Sequence, residues 1–96
     1  MANRDAYEPD YAVHPGATLL ETIEVQGITR MELARRTALT EDHISQIIKG
    51  EMSISSDAAI RFERVTGVPA HLWNALEAKY QERLLQSSRY NRREDE

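Results

Sequence analysis

The 96-residue sequence contains no cysteine, which excludes disulfide scaffolds, thiolate metal sites and cysteine nucleophiles together. Glycine (4) and proline (3) are scarce, so collagen-like and linker-like classes are out. No apolar run approaches the roughly 20 residues of a membrane-spanning helix. The polar start Met1-Ala2-Asn3-Arg4-Asp5 does not read as a signal peptide. β-Branched residues do not gather into alternating runs, so strands are not expected. A basic surplus is missing too: the net charge is −4 and the pI about 5.4, which argues against general coating of nucleic acid. What remains is 41% hydrophobic and 29% charged residues, the make-up of one small globular domain, expected in the cytoplasm and outside the membrane.

The charge is unevenly spread. Residues 1–13 carry −2 and residues 91–96 carry −1, whereas the segment 28–50 carries +1 through Arg30, Arg35, Arg36 and Lys49. A local anion-facing surface therefore stays open. Residues 1–13 lack apolar periodicity and read as a flexible arm; 87–96 are almost wholly polar and read as a flexible tail. The folded domain is expected over 14–86.

Within it, turn signals divide five short helices. The first starts after His14-Pro15-Gly16, carries Leu19, Leu20 and Ile23 at helical spacing, and ends at Gly27. Thr29-Arg30-Met31-Glu32 has capping-box spacing and opens a second helix over about 30–37, with Leu33 and Ala34 inward. Thr40 can cap a third, 41–48, with the apolar stripe Ile44, Ile47 and Ile48 and a stop at Gly50. Ser55 or Ser56 can cap a fourth, about 56–66, with Ala59, Phe62 and Val65 on one face and Gly67 closing it. Pro69 opens a fifth at the position where a missing N–H costs least. Leu72, Trp73, Leu76, Tyr80 and Leu84 form its stripe toward 86.

A second and third helix joined by a tight turn is the layout of a helix-turn-helix domain. Ala34 is small where two helices cross, Leu39 can plug the core from the turn, and Ile44 follows Ala34 by ten residues, the distance needed for the third helix to fold back.

No catalytic constellation is found. His14, His43 and His71 lie 29 and 28 residues apart, without metal-ligand spacing. Asp42-His43-x-Ser45 holds triad residue types, but neighbours on one helix point different ways and leave no oxyanion hole. No glycine-rich phosphate loop is present. The chain reads as a non-enzyme without a cofactor or metal.

The third helix offers a surface instead. With its isoleucines inward, Glu41, Asp42, His43, Ser45, Gln46 and Lys49 are left outward or flanking. A recognition helix presents such N-terminal residues to base edges. Gln46 can bond adenine through N6 and N7, Ser45 a base or a phosphate, and Glu41 or Asp42 can accept from cytosine N4 or serve the helix end and stay off the DNA. Arg30, Arg35, Arg36 and Lys49 are candidate phosphate contacts, Arg30 at a helix start where the dipole also attracts phosphate. Arg35 and Arg36 are adjacent and cannot both face the same strand, and Arg30, Arg35 and Lys49 are the ones expected. An ordinary solvated face with surface cations is the alternative. The stripe Leu72, Trp73, Leu76 and Tyr80 exceeds what a core of this size needs; a dimer contact and simple core packing both fit it.

The chain resembles the HigA family of antitoxins, within the Xre/Cro/C1-type helix-turn-helix group. The resemblance is carried by His14-Pro15-Gly16, Glu32-Leu33-Ala34, Ile44-Ser45-Gln46-Ile47 with Lys49-Gly50, Ile54-Ser55, Ala59 through Phe62, Thr66-Gly67-Val68-Pro69 and Trp73-Asn74-Ala75-Leu76-Glu77, over about residues 14–85. It implies an all-α, five-helix, lambda-repressor-like helix-turn-helix DNA-binding domain. It also implies a cytoplasmic homodimer that binds double-stranded operator DNA, represses its own operon and neutralises a basic RelE-like HigB toxin. The family's base-reading positions fall on Glu41, Asp42 and Gln46, with Ser45 and Lys49 near phosphate. Ala38 stands where such proteins commonly have glycine. Two other functions stay open: a phage or orphan helix-turn-helix regulator without a toxin, and a protein-interaction module that kept the fold and lost DNA binding.

Overall fold

Side-chain oxygens and left-handed residues set most helix ends in this chain. The computed structural model describes the backbone of residues 14–95 and the side chains of 14–87. The arm expected over 1–13 lies outside the described residues.

Among the described residues five helices follow one another: α1 (Pro15–Gln26), α2 (Arg30–Thr37), α3 (Glu41–Ile48), α4 (Ser56–Thr66) and α5 (Ala70–Asp95). Pro15 takes the first position of α1, where its missing N–H costs nothing. Thr29, Thr40 and Ser55 each accept a hydrogen bond from the backbone N–H three residues on, at 3.0, 3.0 and 3.1 Å, and so start α2, α3 and α4. Gly27 and Gly67 end α1 and α4 in the left-handed conformation. Glu32 does not complete the expected capping box with a bond to Thr29; its carboxylate pairs with Arg35.

α5 departs from expectation at both ends. It begins at Ala70, with Pro69 just outside, its carbonyl accepting from the N–H groups of Leu72 and Trp73. A carboxylate oxygen of Glu63 accepts from the Ala70 N–H at 3.0 Å, so the preceding helix caps this one. The helix then continues through Asp95 and takes in most of the segment expected as a tail. The reason is compositional: after Pro69 there is no glycine or proline to stop the helix, and Arg89, Arg92, Arg93 and Glu94 are good helix formers.

The core is formed by Leu19 and Ile23 of α1, Leu33 and Ala34 of α2, the three isoleucines of α3, Ile54, Ala58, Ala59 and Phe62, and Trp73 of α5. α2 and α3 pack as a helix-turn-helix pair with Leu39 partly buried between them, and α5 lies against α4 and α1. Three side-chain bonds to distant backbone lock this arrangement. Gln26 Nε2 donates to the Thr66 carbonyl at 2.8 Å, joining α1 to α4. Arg61 Nη1 donates to the Thr37 carbonyl at 2.7 Å, so α4 holds the C-terminal end of α2. On α5, Glu77 Oε1 accepts from the Ile54 N–H at 2.9 Å, tying that helix to the loop after α3.

The turn between α2 and α3 contains a strained residue. Ala38 has φ of 64°, the one non-glycine residue with positive φ among the described residues. A side chain there costs about 1 kcal/mol, because Cβ crowds the following carbonyl. Ala38 is exposed, so its methyl contributes little packing in return. Ala38→Gly is therefore expected to stabilise the fold by about 0.5–1 kcal/mol. In a thermal melt followed by circular dichroism, that is a rise of about 4 °C. A lower midpoint would show that the turn holds Ala38 without strain.

Candidate nucleic-acid interface

α3 has two unlike faces. Ile44, Ile47 and Ile48 are buried, and their neighbours on the helix are thereby turned outward. Glu41, Asp42 and Lys49 are exposed; His43, Ser45 and Gln46 are half-buried. Because Thr40 already caps the helix, Glu41 and Asp42 are free of the capping role and sit in the first turn. There they face the positive end of the helix dipole, a local stabilisation of about 0.3–1 kcal/mol each. The structure brings two of the expected base-reading residues together: Gln46 Nε2 donates to Asp42 Oδ2 at 3.4 Å.

The candidate phosphate contacts sit differently. Arg30 is half-buried at the first position of α2, and Lys49 is exposed just after α3. Arg35 is exposed but paired with Glu32, which Arg36 also approaches at 3.9 Å. Exposed pairs of this kind contribute at most about 1 kcal/mol, so a phosphate can compete for the Arg35 guanidinium.

The expected dimer surface on α5 is divided by the structure. Trp73 belongs to the chain's own core: it is fully buried, with its ring edge-on to Phe62 at a centroid distance of 5.8 Å. It presents no contact surface, because α5 turns this position directly onto α4. Leu76 and Tyr80 are half-buried, Leu76 against the core and Tyr80 edge-on to the His14 ring at 6.0 Å. Leu72 remains outward at 44% exposure, and Leu84 and Leu85 are exposed further along α5.

Three residues important to the architecture escaped the reading of the sequence. Arg61 has a local signal, its Nε donating to Asp57 one turn earlier at 2.8 Å, but nothing nearby marks its bond to Thr37. Glu77 bonds Ile54 across 23 residues and has no local signal. Gly16 lies against the Ile47 backbone so closely that no side chain fits between them. Among the described residues no group of three His, Asp or Glu side chains could hold a metal ion, and no helix is long and apolar enough to cross a membrane.

No protein-family model matches the chain. It is similar to virulence-associated protein I of Dichelobacter nodosus, 29% identical over 70 residues. That match covers 72% of this chain and 65% of the relative, just under two thirds of its length. Two solved structures from Pseudomonas aeruginosa extend the likeness. The antitoxin HigA with the higBA promoter has a TM-score of 0.79 and 26% identity, covering 90% of this chain and 95% of that one. A protein in complex with its 28-base-pair operator DNA has a TM-score of 0.79 and 25% identity, covering 90% and 96%. The similarity is thus to antitoxins and DNA-binding proteins rather than to enzymes. The described residues form five helices in a helix-turn-helix fold, and the chain's structural neighbours are HigA-family antitoxins and addiction-module antidotes.

Proposed function

We propose that this chain is an antitoxin-type repressor that binds operator DNA through α3 as a homodimer. The observation that carries the proposal is the outward face of α3, with Ser45, Gln46 and Lys49 set opposite three buried isoleucines. It stands in a fold whose neighbours, at 25–26% identity, include proteins solved with promoter or operator DNA. In this proposal Gln46 and Ser45 meet base edges, Glu41 and Asp42 flank them, and Arg30, Arg35 and Lys49 meet phosphates. The domain is residues 14–86 together with the continuation of α5. The second copy docks on α5 through Leu72, with Leu76 and Tyr80 beside it. A basic RelE-like HigB toxin is the further partner, steered by the acidic balance of this chain, and the chain represses the operon that encodes both.

Two substitutions test the DNA contact. Gln46→Ala is expected to cost about 1–3 kcal/mol on the preferred site and to relax preference at one base pair. Lys49→Ala is expected to weaken binding to all duplexes alike and to reduce the salt slope by about one. Anisotropy titrations at several salt concentrations measure both. Equal losses from Gln46→Ala on preferred and random duplex would remove Gln46 from the base contacts. The exposed carboxylates Glu41 and Asp42 favour one other reading, a protein-interaction module on the same fold. It predicts no sequence preference at any salt concentration.

A further inference from the structure

An acidic residue on a DNA-facing helix needs a reason to be there, since a carboxylate repels phosphate. Capping is not that reason at position 42, because Thr40 already accepts from the His43 N–H, and the helix dipole favours Glu41 and Asp42 alike without singling out position 42. The Asp42 carboxylate instead accepts from Gln46 Nε2, one turn along the exposed side of α3. Resting on the DNA-reading proposal above, we propose that Asp42 is a positioning residue that fixes which way the Gln46 amide faces and thereby makes it select adenine over guanine.

The chemistry follows from the donors and acceptors. A glutamine amide carries two N–H donors on nitrogen and two lone pairs on oxygen. A carboxylate only accepts, so beside Asp42 the nitrogen must be the atom turned toward it; the flipped amide would set oxygen against oxygen. With one N–H given to Asp42, the carbonyl oxygen and the second N–H remain. Adenine offers the matching pair in the major groove, a donor at N6 and an acceptor at N7. Guanine offers two acceptors, O6 and N7. An amide held by Asp42 then meets guanine O6 with its own oxygen, a repulsive contact. An amide free to turn could give an N–H to O6 and relieve part of that penalty. The contact is long on the free protein, at 3.4 Å. It strengthens when docking removes water and lowers the local dielectric.

The test uses the full chain and duplexes enriched from a random-sequence library by the wild type. The base pair read by Gln46 is located as the one whose preference Gln46→Ala relaxes. Wild type is expected to prefer adenine over guanine there by ~10-fold. Asp42→Ala is expected to reduce this preference to ~2-fold or less while tightening binding to random duplex, because a negative charge is lost. Asp42→Asn also loses the charge, but its amide can turn either an accepting oxygen or a donating nitrogen to Gln46, so it is expected to fall between wild type and Asp42→Ala in preference. Circular dichroism checks folding, which the exposed position and the Thr40 cap preserve. If Asp42→Ala keeps the wild-type preference, the positioning role is overturned and base reading by Gln46 stands. If the wild type enriches no site, or Gln46→Ala relaxes no base pair, base reading falls and the positioning role falls with it.

Discussion

Gly16→Ala is expected to remove a large share of the folding stability of this chain. A Cβ at this position would lie 1.8 Å from the Ile47 carbonyl oxygen and 2.7 Å from its carbon. Both are backbone atoms, so no rotamer change relieves the overlap. Either the start of α1 or the end of α3 must move, and each carries core side chains: Leu19 and Ile23 on one, Ile44 and Ile47 on the other. The expected cost is about 3 kcal/mol or more, against a total of roughly 5–10 kcal/mol for a domain of this length. Gly67→Ala is the matched control. Its Cβ meets open space, and only the positive φ of 83° is strained, for about 1 kcal/mol. Urea denaturation followed by circular dichroism gives both values. A Gly16→Ala midpoint close to that of Gly67→Ala would mean that α1 and α3 yield without loss of packing.

Trp73→Ala is expected to cost about 3–5 kcal/mol and to lower the stability of the whole fold, rather than to split a dimer into monomers of unchanged stability. The indole is fully buried and packs edge-on against Phe62 between α5 and α4. Trp73→Phe is expected to cost far less. The indole Nε1 has no hydrogen-bond partner among the described residues, so phenylalanine gives up volume but no polar contact. Thermal melts with light scattering separate the outcomes. A Trp73→Ala monomer with the wild-type melting midpoint that binds DNA poorly would return this residue to the interface.

Helix placement was largely legible in the sequence because its signals are local. Thr29, Thr40 and Ser55 act on N–H groups three residues away, and Gly27 and Gly67 act at their own φ. Ala38 was conspicuous as a non-glycine in the turn, and the turn is where positive φ is found. The buried and outward faces of α3 followed from the spacing of three isoleucines. Spacing fails on α5, where Leu72 and Trp73 are neighbours only about 100° apart on the helix. The pattern contains both, and only the position of α4 decides that the indole goes inward and the leucine stays out. The bonds from Arg61 to Thr37 and from Glu77 to Ile54 were illegible for another reason. They join a side chain to the backbone of a distant turn, which has no residue identity to read.

The Glu77 bond has a consequence for exchange with solvent. Most protected amides in a helical protein owe their protection to a carbonyl in their own helix, and open when that helix frays. The Ile54 amide lies in a loop, in a residue only 4% exposed, and its acceptor is a carboxylate on α5. Its deuterium uptake therefore reports the undocking of α5 from the segment that follows α3. That one amide reads the coupling between the long terminal helix and the helix-turn-helix unit, in the unmodified chain and at equilibrium.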